Sequence, residues 1–184
     1  MNRFTKVLGA SVLALTLVAP LARATQVLYR TPQQLGTESA LVVSGKVTQV
    51  RSYWNESRTK ILTEARVAVD ESYKGVAGNT VRVVQLGGVV GHVRMSVHGA
   101  LSWRPGEEVL LFLEPLKGGD WQVSGFSQGK FRVVRDHNGT PLIQNAPDSG
   151  VEVLGAPGAE DAVPRVRNPR VELNDFVNQA LGRK

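Results

Sequence analysis

The sequence predicts an all-β protein, a barrel or a sandwich, on three observations. Short stretches rich in Val, Ile and Leu alternate in polarity, glycine-bearing turns separate them at fairly regular intervals, and one stretch, Val109-Leu110-Leu111-Phe112-Leu113, is apolar at every position. That stretch is opened by Arg104-Pro105-Gly106-Glu107-Glu108 and closed by Glu114-Pro115. A run so short and so uniformly apolar fits a strand buried on both faces better than an amphipathic helix, so the remaining strands are expected to wrap around it.

The first residues stand apart from this pattern. Arg3 and Lys6 precede an apolar run of twelve residues, Val7 to Val18, and Ala22-Arg23-Ala24 supplies small residues where a signal peptidase reads. A retained membrane anchor needs about 20 apolar residues, so residues 1–24 are expected to be a cleaved signal peptide and the protein exported, to the periplasm or the medium. Without Arg3, Lys6 and Arg23 the formal charge falls from +6 to +3, spread among 16 acidic residues. This is not the clustered basic footprint of a nucleic-acid binder. No cysteine is present, which excludes thiol nucleophiles, thiolate metal sites and disulfides, and leaves stability to the core.

Residues 25–145 are expected to hold the β domain. Thr31-Pro32-Gln33-Gln34 reads as a helix start with Thr31 as N-cap, giving a short helix to about Ser39. Ala40 to Val50 reads as a strand bent at Gly45, Tyr53 to Arg58 as a polar hairpin loop, and Ile61 to Lys74 as a half-solvated strand with Glu64, Arg66, Asp70 and Lys74 on its wet face. Thr80 to Leu86 and Val89 to Val97 follow on either side of Gly87-Gly88. After the apolar strand come Trp121 to Phe126, Lys130 to Arg135 and, beyond the Asn138-Gly139 turn, Pro141 to Gln144. Residues 146–168, rich in Pro, Gly and Ala, read as a linker or draped segment. Residues 169–182 read as an amphipathic helix with Leu173, Phe176, Val177, Ala180 and Leu181 on one face, whose stripe must bury on the β domain or on a partner.

Chemistry-bearing patterns are sparse. Gly125-Phe126-Ser127-Gln128-Gly129 matches the Gly-x-Ser-x-Gly nucleophile elbow by letter, but an elbow needs a helix after the serine, and Lys130-Phe131-Arg132-Val133-Val134 reads as a strand. Two glycines there fit a bulge or a close strand crossing instead. His92 and His98 lie about 20 Å apart on extended chain, too far to share a metal. Adjacent acids such as Glu107-Glu108 point to opposite faces of a strand and form no glycosidase pair. No pattern calls for a cofactor or metal. Among Trp54, Trp103 and Trp121, Trp54 has the polar loop setting in which an aromatic anchors a partner.

Several motifs carry a resemblance. Val43-x-Gly45-x-Val47, Ser52-x-Trp54, Ile61-x-Thr63, Tyr73-Lys74-Gly75, Gly87-Gly88-x-x-Gly91, Pro105-Gly106-Glu107-x-Val109-Leu110-Leu111-Phe112-Leu113 and Gly125-x-x-Gln128-Gly129-Lys130-Phe131 resemble a group of exported bacterial proteins of unassigned activity, often encoded near matrixin-like metalloproteases. Their pattern is similar to the netrin and tissue-metalloproteinase-inhibitor type of OB-fold. The resemblance spans about half of the chain and implies a small OB-like β-barrel, closed or partly open, with a short N-terminal helix and a C-terminal amphipathic helix. Those inhibitors ligate the protease zinc through an N-terminal cysteine, and this chain has none, so that mechanism has no residue to act through.

The expected function is an exported, non-enzymatic binding module whose partner is a secreted protease or another cell-envelope protein. The expected binding surface is the loop containing Tyr53, Trp54, Asn55 and Arg58 together with the turns at Gly87, Gly88 and Gly91, because loops held by a rigid barrel are where such folds bind. Two alternatives remain: a structural envelope protein docking through its C-terminal helix, and a serine hydrolase using Ser127.

Overall fold

In the computed structural model the described residues are 26–144, 152–154 and 171–183. In chain order they form β1 (Gln26–Leu28), α1 (Pro32–Glu38), β2 (Leu41–Trp54), β3 (Ile61–Lys74), β4 (Thr80–Leu86), β5 (Gly88–Val90) and β6 (Val93–Met95). These are followed by β7 (Glu108–Pro115), β8 (Trp121–Val123), β9 (Lys130–Arg135), β10 (Pro141–Gln144), β11 (Glu152–Leu154), β12 (Val171–Glu172) and α2 (Leu173–Leu181). The protein is mainly β.

Eight strands form one sheet in the order β12-β10-β9-β7-β2-β3-β4-β8, and β8 pairs back onto β7, so β7, β2, β3, β4 and β8 join into a five-strand ring. The expectation of a mainly β fold with a C-terminal helix is met, in the form of a small ring of strands with helices beside it. Closure falls to β8, which sets Trp121 parallel to Val83 of β4 and runs antiparallel to Leu113, Glu114 and Pro115 of β7.

The apolar run of β7 is buried on both faces because two cores meet there. Val109, Leu111 and Leu113 point into the ring with Leu41, Val43, Val47, Ala65 and Val67. Leu110 and Phe112 point the other way, toward Leu35 of α1 and Phe176, Val177 and Ala180 of α2. Every residue from Val109 to Leu113 is fully buried, and each such side chain stabilises the fold by about 1.5–3 kcal/mol. Phe112 meets Phe131 and Phe176 edge to face, with centroids 5.7 and 6.4 Å apart, which adds a directional term to the second core.

One edge of β7 is shared between two partners. Val109, Leu110 and Leu111 pair with Arg132, Phe131 and Lys130 of β9, whereas Leu113 onward pairs with β8. Between them the turn from Ser124 to Gly129 lies flat against the strand. The Phe112 N–H donates to the Gly129 carbonyl at 2.8 Å, and the Ser124 N–H donates to the Phe112 carbonyl at 2.9 Å. A side chain at Gly129 would begin 2.8 Å from the Ser124 carbonyl and 2.9 Å from that of Phe112, so only glycine permits the approach.

The helices follow their local signals. Thr31 caps α1 in a full capping box with Gln34, and Gly182, at φ 64°, ends α2 in the left-handed conformation. Leu173, Phe176, Val177 and Ala180 are buried against the chain's own strands and α1, so the stripe of α2 is occupied from within. No helix among the described residues is long and apolar enough to cross a membrane.

Several expectations are corrected. Strand β2 continues to Trp54, so Tyr53 and Trp54 are strand residues and the connecting turn comprises residues 55–60. The region Val89 to Val97 is not one strand but the hairpin β5–β6, turned at Gly91. Glu64, assigned to a wet face, is 1% exposed. Within the stretch read as linker, Glu152–Leu154 pairs parallel with Gln26–Leu28. The C-terminal helix begins at Leu173, because Val171 and Glu172 are held by β10 as a strand; its expected start at residue 169 lies outside the described residues, as do residues 1–24, read as a signal peptide, and the rest of the stretch read as linker.

Candidate functional site

The two stretches selected from the sequence come together at one end of the ring. The Gly87 N–H donates to the Ile61 carbonyl at 2.9 Å, and the Thr63 hydroxyl donates to the Gly87 carbonyl at 2.6 Å. Ser52 and Thr63 share a hydrogen bond of 2.9 Å directly beneath Gly88, whose φ of 139° and lack of side chain let the backbone rest on both hydroxyls. The β5–β6 hairpin is thereby folded across the ends of β2 and β3.

Register sorts the side chains at this end. Trp54 lies opposite Ile61 on the inner side, while Tyr53 lies opposite Leu62, which in turn faces Leu86 on the outer side. The Arg51 guanidinium stands 5.3 Å from the centroid of the Tyr53 ring. Tyr53 and Trp54 are half-buried, and Arg58 is exposed with φ 52°. Asn55 serves the turn itself: its amide oxygen accepts from the Thr59 and Lys60 N–H groups at 2.8 Å, and its NH2 donates to Ser57 and Thr59. Of the predicted binding residues, then, Asn55, Gly87, Gly88 and Gly91 shape backbone, and Tyr53, Trp54 and Arg58 present side chains. What the sequence reading missed is the apolar surface beside them: Leu86, Val89 and Val93 are 43, 46 and 49% exposed. The position of Val89 and Val93 after Gly87-Gly88, with Leu86 just before it, was the available signal, hidden by reading the region as one strand.

The outer face of β2, β3 and β4 carries a buried carboxylate. Glu64 accepts from Arg51 Nη2 and Arg66 Nε, each at 2.8 Å. Burial pushes its pKa up, but the two hydrogen bonds and the two positive charges outweigh that and hold it below the usual carboxylate range. Arg51 is correspondingly raised by its bond to Glu64, and Arg82 by its bond to Asp120.

Ser127 sits in the turn between β8 and β9, where no helix follows, so the strand-turn-helix context of a nucleophile elbow is not present. The motif residues around it are structural. Gln128 accepts from the Arg30 N–H at 2.8 Å and donates to the Leu28 carbonyl at 2.8 Å, tying down the N-terminal segment. Lys130, only 3% exposed at its side chain, pairs with Glu107 at 3.0 Å, donates to the Ser102 carbonyl at 2.6 Å and lies 4.6 Å from the Trp103 ring. His92, His98 and His137 are exposed, and no group of three or more metal-binding side chains occurs among the described residues. No family model matches the chain.

Proposed function

We propose that the chain is an exported binding module without enzymatic activity, which recognises a secreted protease or another cell-envelope protein through the end of the ring bearing Tyr53, Trp54 and the β5–β6 hairpin. The observation that supports this reading is the convergence of two separated stretches into one end that exposes Leu86, Val89 and Val93 beside half-buried aromatics. Aromatic anchors rimmed by apolar and cationic side chains, held by backbone hydrogen bonds, are the usual composition of a protein-recognition patch. Arg3, Lys6 and the apolar run to Val18 support export. The stripe of α2 is already covered by Phe112 and Phe131, which favours the ring end over the helix as the contact surface.

The test is affinity capture from the organism's own periplasm and culture fluid, with wild-type protein, Trp54→Ala and Val89→Asp side by side. The expected result is a stoichiometric partner retained by the wild type and lost by both variants, each with an unchanged circular dichroism spectrum. Capture that persists undiminished with both folded variants would remove this face from the account.

A further inference from the structure

A cleft of about 560 Å3 lies beside the turn that leads into β7, lined by Arg104, Pro105, Glu107, Glu108, Arg132 and Arg135 among others. We propose that it binds a small oxyanion, the phosphate or carboxylate group of a ligand, between Arg104 and Arg132.

The argument is an accounting of charges and donors. Three guanidinium groups line the cleft against two carboxylates, and both carboxylates are engaged. Glu107 accepts from Lys130 Nζ at 3.0 and 3.1 Å and from Arg132 Nε at 3.2 Å, and Glu108 accepts from Arg135 Nε at 3.1 Å. The Lys130 ammonium therefore offsets one of the two acids, and the cleft keeps a positive balance. Arg132 spends its Nε on Glu107, which leaves its terminal nitrogens for a ligand. The exposed Arg104 side chain has no ion pair or hydrogen bond among the described residues. A guanidinium offers a planar fork of donors that fits an oxyanion two oxygens at a time.

The site is also held in place. The Gly106 N–H donates to the Val47 carbonyl at 2.7 Å and the Glu107 N–H to the Arg104 carbonyl at 3.1 Å, which fixes the backbone from which Arg104 projects. Glu107 is 6% exposed at its side chain and cannot swing out to neutralise Arg104 without abandoning buried Lys130. The carboxylate that would otherwise cancel an incoming anion is thus committed inward.

The experiment is titration calorimetry of the purified protein at low ionic strength with inorganic pyrophosphate and with citrate, alongside co-sedimentation with phosphatidylglycerol vesicles. Arg104→Glu is compared with Lys117→Glu, an equal charge reversal in an exposed turn elsewhere. At least one probe should bind, with affinity reduced about tenfold or more by Arg104→Glu, as expected for losing a charge-assisted hydrogen bond, and less than about twofold by Lys117→Glu. Vesicle binding alone, lost in Arg104→Glu, would support the cleft and place the oxyanion on a lipid headgroup. Binding of no probe, or equal weakening by both reversals, would overturn the proposal, the latter marking general charge attraction.

Discussion

The two halves of β2 meet different surroundings. From Leu41 to Val43 the strand is fully buried, its inward residues in the ring and Val42 in the second core beneath the helices. From Gln49 to Trp54 the inner face still lines the ring, but the outer face presents Gln49, Arg51 and Tyr53, and neither helix of the described residues lies over them. A strand with a second layer on it is committed to structure on both sides. Where that layer ends, the same strand has a face to spare, and that half carries the proposed recognition residues. The lesson is that the limits of the helical layer mark out the surface available for contact.

The contrast can be broken most forcefully from the covered side. Phe112→Ala should cost about 3–5 kcal/mol in urea unfolding, since it empties a site ringed by Phe131 and Phe176. A loss below about 1 kcal/mol would mean that the second core closes over the gap and that the two halves of β2 are less different than described. Lys130→Met should fall in a similar range, about 3–5 kcal/mol, by leaving Glu107 charged and buried with only Arg132 for company. Restoration of part of that loss by Lys130→Met with Glu107→Leu would confirm that the penalty is an orphaned charge.

On the open side, the expected effects are smaller and depend on conditions. Glu64 has a folded-state pKa below its ordinary value, so its contribution is fully present above the unfolded pKa of about 4.3 and is lost as pH falls through the depressed folded value. Unfolding curves across that acidic range should show Glu64→Gln with a flatter pH dependence than wild type. Parallel curves would sink this assignment. The least effect on stability, within about 0.5 kcal/mol, is expected for Val89→Asp, 46% exposed in the wild type, while partner capture is lost. That separation of folding from binding is the sharpest form of the comparison.

Much of the strand layout was legible in the sequence. Ile61–Lys74, Thr80–Leu86, Lys130–Arg135 and Pro141–Gln144 begin and end where alternation and turn residues put them, because those signals are local. The doubly buried β7 was legible for the same reason. Glu64 was misplaced because strand parity tells which face a residue takes and not what covers it; two arginines from β2 and β3 supply the cover. The pairing of Lys130 with Glu107 joins residues 23 apart, brought together by the register of β9 on β7, and nothing in either segment alone announces it. The ring end was selected by its loops, but its exposed valines required knowing that Gly91 folds the chain back on itself.

The closure of the ring has a consequence for how the molecule breathes. β8 is three residues long and meets β4 at one residue pair, whereas β2 and β3, fourteen residues each, meet at twelve. Free energy for local opening is lowest where the fewest bonds must be given up, so amide protons at this junction should exchange with solvent ahead of those in β2 and β3. The ring behaves as a clasped bracelet. A ligand or crosslink that pinned Trp121 to Val83 would slow exchange well beyond the clasp itself.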